Sequence, residues 1–320
     1  MKLRQFCAVI FLLAWCLVPG GACAKDKIPP QTGWGHVLKG PVEVRRNPST
    51  SKPGLTRLQS GALVAVFETK QSKGTDWAKV RVVEPATLEV VTGWVESSRI
   101  ETLPVKEFPS DSELLKALGG VYLQDFHANY TQFARYLVRR GTEATALVCY
   151  VGSPFLPHTR LQVFEPSRGK FVPGPYLEFP FSQMKTGVTQ IEVRDLVGDG
   201  DECLIAHEPL SSSLGSGGAN LVIRRIEAKG FKVLWQAPLE LRNLSSYPPH
   251  PSALEPPEKN IGAPGTVTTA TVDFRSSGRV SEPVWKGKIE FRVPGREEPV
   301  DTLTVEKVCN WNGREFTPLY

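Results

Sequence analysis

The chain has little with which to do chemistry. Its 320 residues include five histidines (His36, His127, His158, His207 and His250), and no two stand in the His-x-x-x-His spacing of a helical zinc pair. No Gly-x-Ser-x-Gly elbow occurs. Ser211-Ser212-Ser213-Leu214-Gly215-Ser216-Gly217-Gly218 has no lysine to turn it into a phosphate loop and reads as a flexible connection. His127 near Asp125, and His207 beside Glu208, read as surface or satisfied residues rather than dyads. Charge of one sign is lacking too. There are 38 basic and 33 acidic residues, with no basic stripe carrying interleaved aromatics, which excludes nucleic acid as a partner.

Cysteine is scarce beyond residue 23. Cys149, Cys203 and Cys309 each lie in an apolar, strand-like run (Leu147-Val148-Cys149-Tyr150, Cys203-Leu204-Ile205, Val308-Cys309). Apolar surroundings hold a thiol protonated and favour packing over reactivity. An odd number permits one disulfide plus a free thiol in an oxidising compartment, and spacing does not choose the pair.

Long hydrophobic runs are missing with one exception. Lys2 and Arg4 precede an apolar stretch from Phe6 to Val18, Pro19-Gly20-Gly21 breaks it, and Ala22-Cys23-Ala24 places small residues at a cleavage site. The run is shorter than the ~20 residues a spanning helix needs. Residues 1–24 are therefore expected to be a signal peptide, cut before Lys25. Lipid anchoring at Cys23 is the alternative, disfavoured because Gly20-Gly21-Ala22 lacks an aliphatic residue three places before it. The expected location is outside the cytoplasm, periplasmic or at the cell surface, with no transmembrane segment in the mature chain. Removing Lys2 and Arg4 leaves 36 basic against 33 acidic residues, a balance of +3 that marks an ordinary solvated surface. The remaining length suggests about two domains.

Between residues 33 and 103, short alternating runs stand between turn signals. Val42-Glu43-Val44-Arg45 has period two, Asn47-Pro48-Ser49 and Ser60-Gly61 punctuate, and Ser72-Lys73-Gly74 makes a hairpin tip before Trp77-Ala78-Lys79-Val80. Thr92-Gly93-Trp94-Val95 follows. The density of short strands predicts a small barrel. The order Val44-Arg45, Asn47-Pro48-Ser49, Leu58-x-x-Gly61, Val64-x-Val66, Trp77-x-x-Val80, Gly93-Trp94-Val95 resembles the bacterial Src homology 3-like family. The stretch Glu84 to Val91 is longer than that family's usual connection. The resemblance implies an extracytoplasmic binding or spacer module, often found on proteins acting at the cell wall. In such a module Arg45, Trp77 and Trp94 are the ligand-binding candidates, beside a shallow groove suited to extended peptides. The plainer reading makes both tryptophans core plugs and Arg45 a structural arginine.

From 105 to 320 the expectation is an all-β domain of antiparallel strands, as a meander, a sandwich or propeller-like blades, joined to the barrel by one short helix. Ser110-Asp111-Ser112-Glu113 has capping-box spacing before Leu114, and Gly119-Gly120 should stop that helix. Phe126 to Arg140 fits either a helical face or a strand. A proline-rich loop spans Leu244 to Lys259. Strand, glycine turn and aromatic-bearing strand recur at Leu161–Pro173, Leu221–Val233 and Val305–Pro318. Asp195-Leu196-Val197-Gly198-Asp199-Gly200-Asp201-Glu202 resembles the calcium loop of FG-GAP blades. Asp195 and Asp199 match its first and fifth ligand positions. Val197 and Cys203 stand where ligands belong, so Asp201 or Glu202 must supply them by a shift of register. The other reading is a polar turn without an ion.

The expected function is a non-catalytic binding protein of the bacterial envelope, recognising a wall component such as peptidoglycan, an extended peptide or another envelope protein. A cell-envelope hydrolase without a recognisable motif, or a structural accessory stabilised by calcium, are the alternatives. No other cofactor is expected.

Overall fold

Two-residue hairpin turns set the architecture. The computed structural model describes residues 29–125, 131–141, 144–153, 156–179, 188–210, 216–243, 265–292 and 297–319. Lys73-Gly74 and Arg168-Gly169 take positive φ at both positions (51° and 79°, 48° and 75°). That geometry matches the right-handed twist of the strands it joins. The first links β4 (Ala62–Ser72) to β5 (Thr75–Val83), the second β10 (Leu156–Ser167) to β11 (Lys170–Phe179). The outcome is an all-β chain with antiparallel pairing throughout the described residues and one helix, α1 (Asp111–Asp125).

The N-terminal part holds β1 (Gly33–Val37), β2 (Val42–Val44), β3 (Thr56–Leu58), β4, β5, β6 (Val90–Glu96) and β7 (Ile100–Leu103). β1 lies between β4 and β7, and β5 pairs with β4 and β6. The β2–β3 ribbon meets β6 through paired backbone bonds between Arg45 and Trp94, 2.8 and 2.7 Å. Val44, Val64, Val66, Ala78, Val80 and Val95 point inward, alternating with outward residues as a strand's period of two requires. The long Glu84–Val91 stretch extends the β5–β6 hairpin as far as Val83 opposite Val90, and Leu88 turns into the core.

β8 (Gln132–Arg140) pairs with β4 at Ala62 and Leu63 and carries the same sheet on through β9 (Ala144–Ser153) to β10 and β11. The second sheet is a meander in chain order: β12 (Gln190–Arg194), β13 (Cys203–Leu210), β14 (Ser216–Glu227), β15 (Gly230–Asn243), β16 (Gly265–Ser277), β17 (Val280–Arg292) and β18 (Asp301–Val308). Of the three expected arrangements the strand order is therefore the meander.

Three apolar layers hold these sheets. Tyr136, Val138, Val148 and Leu161 of the first sheet meet Ile191, Val193, Leu204 and Ala206 of the second in a core continuous with the interior of the N-terminal barrel. On the first sheet's other face, Leu114 of α1 packs with Phe133, Leu147, Cys149 and Phe164. The second sheet coils on itself around Ile205, Ile223, Trp235 and Trp285, closed by Cys309, Phe316 and Leu319. Its β16–β17 tip returns to the end of β12, where the Ser281 N–H donates to Leu196 O at 2.7 Å. Each large apolar side chain so buried contributes about 1.5–3 kcal/mol. Residues 31–320 make one compact unit. The turn at Ser60-Gly61 is a junction: Gly61 N–H donates to Val37 O (2.8 Å), Leu137 N–H to Gly61 O (2.9 Å) and Val193 N–H to Ser60 O (2.9 Å).

Local expectations meet different outcomes. The capping box forms, with Ser110 N–H on Glu113 Oε2 at 2.7 Å and Glu113 N–H on Ser110 Oγ at 3.4 Å. The helix does not stop at Gly119. That residue leaves helical backbone (φ 72°, ψ 175°), making a kink, and the helix resumes to Asp125. The ambiguous stretch is a strand from Gln132 onward. The third glycine-turn repeat is not a hairpin: β18 pairs with β17, and residues 309–319 fold over the core with a single Trp311–Phe316 bridge. Residues 1–24 with Cys23, residues 126–130, residues 211–215 and the 244–259 loop lie outside the described residues. Among the described residues no helix is long and apolar enough to cross a membrane.

Candidate functional site

β1 has an unusual make-up for a strand, Gly33-Trp34-Gly35-His36-Val37. The glycine at 35 permits close approach, since a Cβ there would lie 2.7 Å from Ile100 Cδ1 and 3.2 Å from Val64 Cγ2. Trp34 is thereby held on the face that α1 covers. Its Nε1 donates to Val105 O at 3.2 Å, and its ring meets Phe108 edge-on at 6.2 Å. Phe108 lies 6.0 Å from Phe171 at the β10–β11 tip. The Arg135 guanidinium sits over Trp34 at 5.1 Å and Phe133 at 5.6 Å, and Nη2 reaches Asp111 Oδ1 of α1 at 2.5 Å. A buried arginine is tolerated here because rings and a carboxylate replace its water.

Above this floor opens a cleft of about 1230 Å³, large even for a ligand site. Trp34, Leu137 and Arg139 line its base, Phe108, Leu114 and Lys116 one side, and Pro166, Lys170 and Phe171 the other. His36 and Glu101 close one end, with Nδ1 3.5 Å from Oε2. Burial pushes the His36 pKa down, against the raising effect of the Glu101 contact, so the ring is neutral at pH 7. Glu113 on the rim is spent on the Ser110 cap, whose bonds hold its carboxyl below the usual range. Lys106, Lys116 and Lys170 are exposed on the same rim, and none makes an ion pair among the described residues. Glu101 and the exposed Glu107 share the lining, so the cleft sets apolar side chains (Trp34, Leu137, Phe108, Phe171) beside charges of both signs. Lys106, Lys116 and Lys170 are the cations available to a ligand's carboxylates or phosphates.

The residues singled out from sequence sit elsewhere. Arg45 ties down its own loop, with Nη2 2.5 Å from Glu43 Oε2 and Nη1 bonding Thr50 O at 3.2 Å and also Lys52 O. Trp94 is half-buried beside Lys79, whose ammonium lies 5.8 Å from the ring. Trp77 is 2% exposed, and its Nε1 has no hydrogen-bond partner among the described residues. Trp77 stands opposite Glu96 and Lys79 opposite Trp94, so the two tryptophans are diagonal neighbours on one face of the β5–β6 hairpin. Arg45 reaches that hairpin only through its backbone.

The acidic loop works as a staple. Asp195 accepts from the N–H groups of Val197 (3.2 Å), Gly198 (2.7 Å) and Gly200 (3.1 Å). Asp199 accepts from Asp201 N–H at 3.0 Å and pairs with Arg225 at 3.0 Å. Asp201 takes the Gly141 N–H at 2.6 Å and faces Arg225 at 3.8 Å, and Glu202 takes the Arg139 N–H at 2.7 Å. The Arg225 guanidinium thus provides the positive charge between the carboxylates, while Asp201 and Glu202 bind the β8–β9 turn of the other sheet. Among the described residues no three His, Cys, Asp or Glu side chains gather as a metal site.

The thiols of Cys149, Cys203 and Cys309 are free and buried. Burial pushes Cys149 up to about 12 and Cys203 up to about 11, and raises Cys309 as well. Protonated thiols of this kind are poor nucleophiles. His207 and Glu208 are successive strand residues and point to opposite faces; Glu208 bonds Arg224. No family model, curated protein or solved structure matches this chain.

Sequence reasoning did not single out Trp34, Phe108, Arg135 or Phe171. Gly35 next to a tryptophan was the available signal, because a glycine inside a strand marks a close backbone approach.

Proposed function

We propose that this is an exported binding protein of the bacterial envelope, and that its ligand is a carboxylate-bearing wall strand lying in the cleft between α1 and the β10–β11 tip. The observation that carries the reading is that Lys106, Lys116 and Lys170 rim a trough walled by Phe108, Leu114 and Phe171 and form no ion pair among the described residues, although Glu101, Glu107 and Glu113 share its lining. An extended glycan–peptide strand offers carboxylates to those lysines and apolar ring or side-chain faces to Phe108 and Phe171. The strand pattern shared with bacterial Src homology 3-like modules supports the same location, and the buried, protonated thiols support binding rather than covalent chemistry. The mature chain would act without a cofactor.

Retention of the purified protein on insoluble peptidoglycan tests this. Binding at low salt that weakens at moderate salt is expected, as is loss with Lys106→Glu/Lys170→Glu. Absence of retention at both salts overturns the reading.

A further inference from the structure

Among the described residues the two large sheets have five edge strands, and four of them are protected against further strand pairing. The free side of β6 is taken by the Arg45–Trp94 bridge. β12 is capped by the Val193 N–H bond to Ser60 O. β11 carries Pro173 and Pro175, and β7 is only four residues long. These are the devices by which proteins blunt an edge. β18 has none of them. It runs eight residues without proline, ends the second sheet, and leaves Leu303 50% and, just before it, Val300 45% exposed.

We propose that β18 is a self-association edge on which a second copy of this chain pairs antiparallel about a two-fold axis through Thr304. The backbone fixes which groups are available. Cys309 N–H donates to Pro283 O at 2.9 Å, and the β17–β18 register is unbroken from Val284 opposite Val308 to Phe291 opposite Asp301. Antiparallel ladders alternate, so odd-numbered residues of β18 bond to β17 while Thr302, Thr304 and Glu306 face the open side. There the Thr302 N–H donates to Asp301 Oδ1 of its own chain at 2.7 Å, a local bond that pairing exchanges for the Glu306 carbonyl of the other copy. An axis at Thr304 pairs Thr302 with Glu306 of the other copy and Thr304 with itself, so all three residues of both copies find donors and acceptors.

The side chains agree with that register. It sets Asp301 against Lys307 twice, Leu303 against Val305 twice, and Thr304 against Thr304; Val300, whose N–H bonds Phe291 O at 2.8 Å, lies outside the ladder. Opposite charges, apolar pairs and threonine pairs are the combinations that stabilise adjacent strands. Sliding one copy by two residues places Asp301 against Val305 in one direction or Leu303 against Lys307 in the other. Lys307 already reaches Leu319 O and has further donors for a carboxylate. The interface is isologous and closes after two copies, so no fibre is implied. No cleft residue takes part, so this association and wall binding stand or fall separately.

Sedimentation of the purified chain over about a hundredfold concentration range tests it. The expected wild-type result is a shift from one copy to two. Thr304→Pro removes the central donor on the open side and should remain a single copy throughout with unchanged circular dichroism. Asp301→Lys should weaken the dimer about tenfold, and Asp301→Lys/Lys307→Asp should restore it. The charge pair decides the matter if the proline variant fails to fold. Wild-type protein that stays monomeric, assemblies larger than two, or a Thr304→Pro dimer as tight as wild type each overturn the proposal.

Discussion

Removing Asp111 should harm this protein more than removing the arginine it pairs with. Arg135 has a side chain 7% exposed, whereas that of Asp111 is 46% exposed at the first turn of α1. In Asp111→Ala the guanidinium keeps its place under α1 but loses its carboxylate. Losing a charged hydrogen bond is worth about 1.5–3 kcal/mol, and losing an acid from a helix N-terminus adds about 0.3–1 kcal/mol. The sum is about 2–4 kcal/mol. Arg135→Met places an apolar side chain of similar length among Trp34, Phe133 and Cys149. It forfeits ring contacts worth about 0.5–1 kcal/mol each but leaves no buried charge, since Asp111 stays hydrated. Its expected cost is about 1–2 kcal/mol. In Asp111→Ala/Arg135→Met most of the first penalty should vanish, because the stranded cation is gone. Urea unfolding with unchanged slope is the assay, and Asp111→Ala should also lower Tm by about 5–10 °C. An Arg135→Met variant less stable than Asp111→Ala, or strictly additive effects, would refute the claim that burial of the cation governs this contact.

Stability should fall on acidification through the histidines. The folded pKa values of His36 and His207 are both lowered by burial. Below about 6.5 the unfolded chain therefore takes up protons first, and their contribution, complete above that pH, is lost as pH drops toward the folded values. Tm measured from pH 8 to pH 5 checks this, and His36→Gln should flatten the slope. Cys149, Cys203 and Cys309 should resist a disulfide reagent at pH 8 in native protein and react fully in denaturant; rapid native labelling of Cys149 contradicts its buried, protonated state. Arg225→Gln should cost about 1–2 kcal/mol by leaving Asp199 and Asp201 without their shared cation. Wild-type Tm should be the same in calcium and in chelator, whereas a calcium-dependent rise means that a metal displaces the guanidinium. Gly93→Ala should disrupt the barrel, because a Cβ there would lie 2.6 Å from Arg45 O and 2.7 Å from Val44 Cγ1; native-like melting argues against that crowding.

Much of the local structure is legible in the residues. Lys73-Gly74 and the Ser110–Glu113 box are complete within a few positions, so nothing distant is needed to read them. β8 is harder. Phe133 and Leu137 stand four apart as on a helix, but they share one face of a strand whose other face, Ala134, Tyr136 and Val138, is buried as well. A strand covered on both sides loses the alternation that identifies it. β1 is hidden for the opposite reason: glycine at 33 and 35 erases its apolar periodicity. The cleft draws on β1, α1 and the β10–β11 tip, so its members are far apart in the chain and no short spacing reveals them. The acidic loop shows the limit of motif matching, since the partner of its carboxylates, Arg225, lies on another strand.

The Ser60-Gly61 turn has a consequence for how the chain can be cut or rebuilt. It touches barrel, first sheet and second sheet within two residues, and the Cβ of any other residue at 61 would fall 2.3 Å from Val193 Cβ. An excised fragment ending near residue 103 would leave Ser60 and Gly61 carbonyls and the flank of β4 without their neighbours. The N-terminal piece should therefore behave poorly as a transplantable cassette. Unfolding should proceed in one step rather than shed the barrel first.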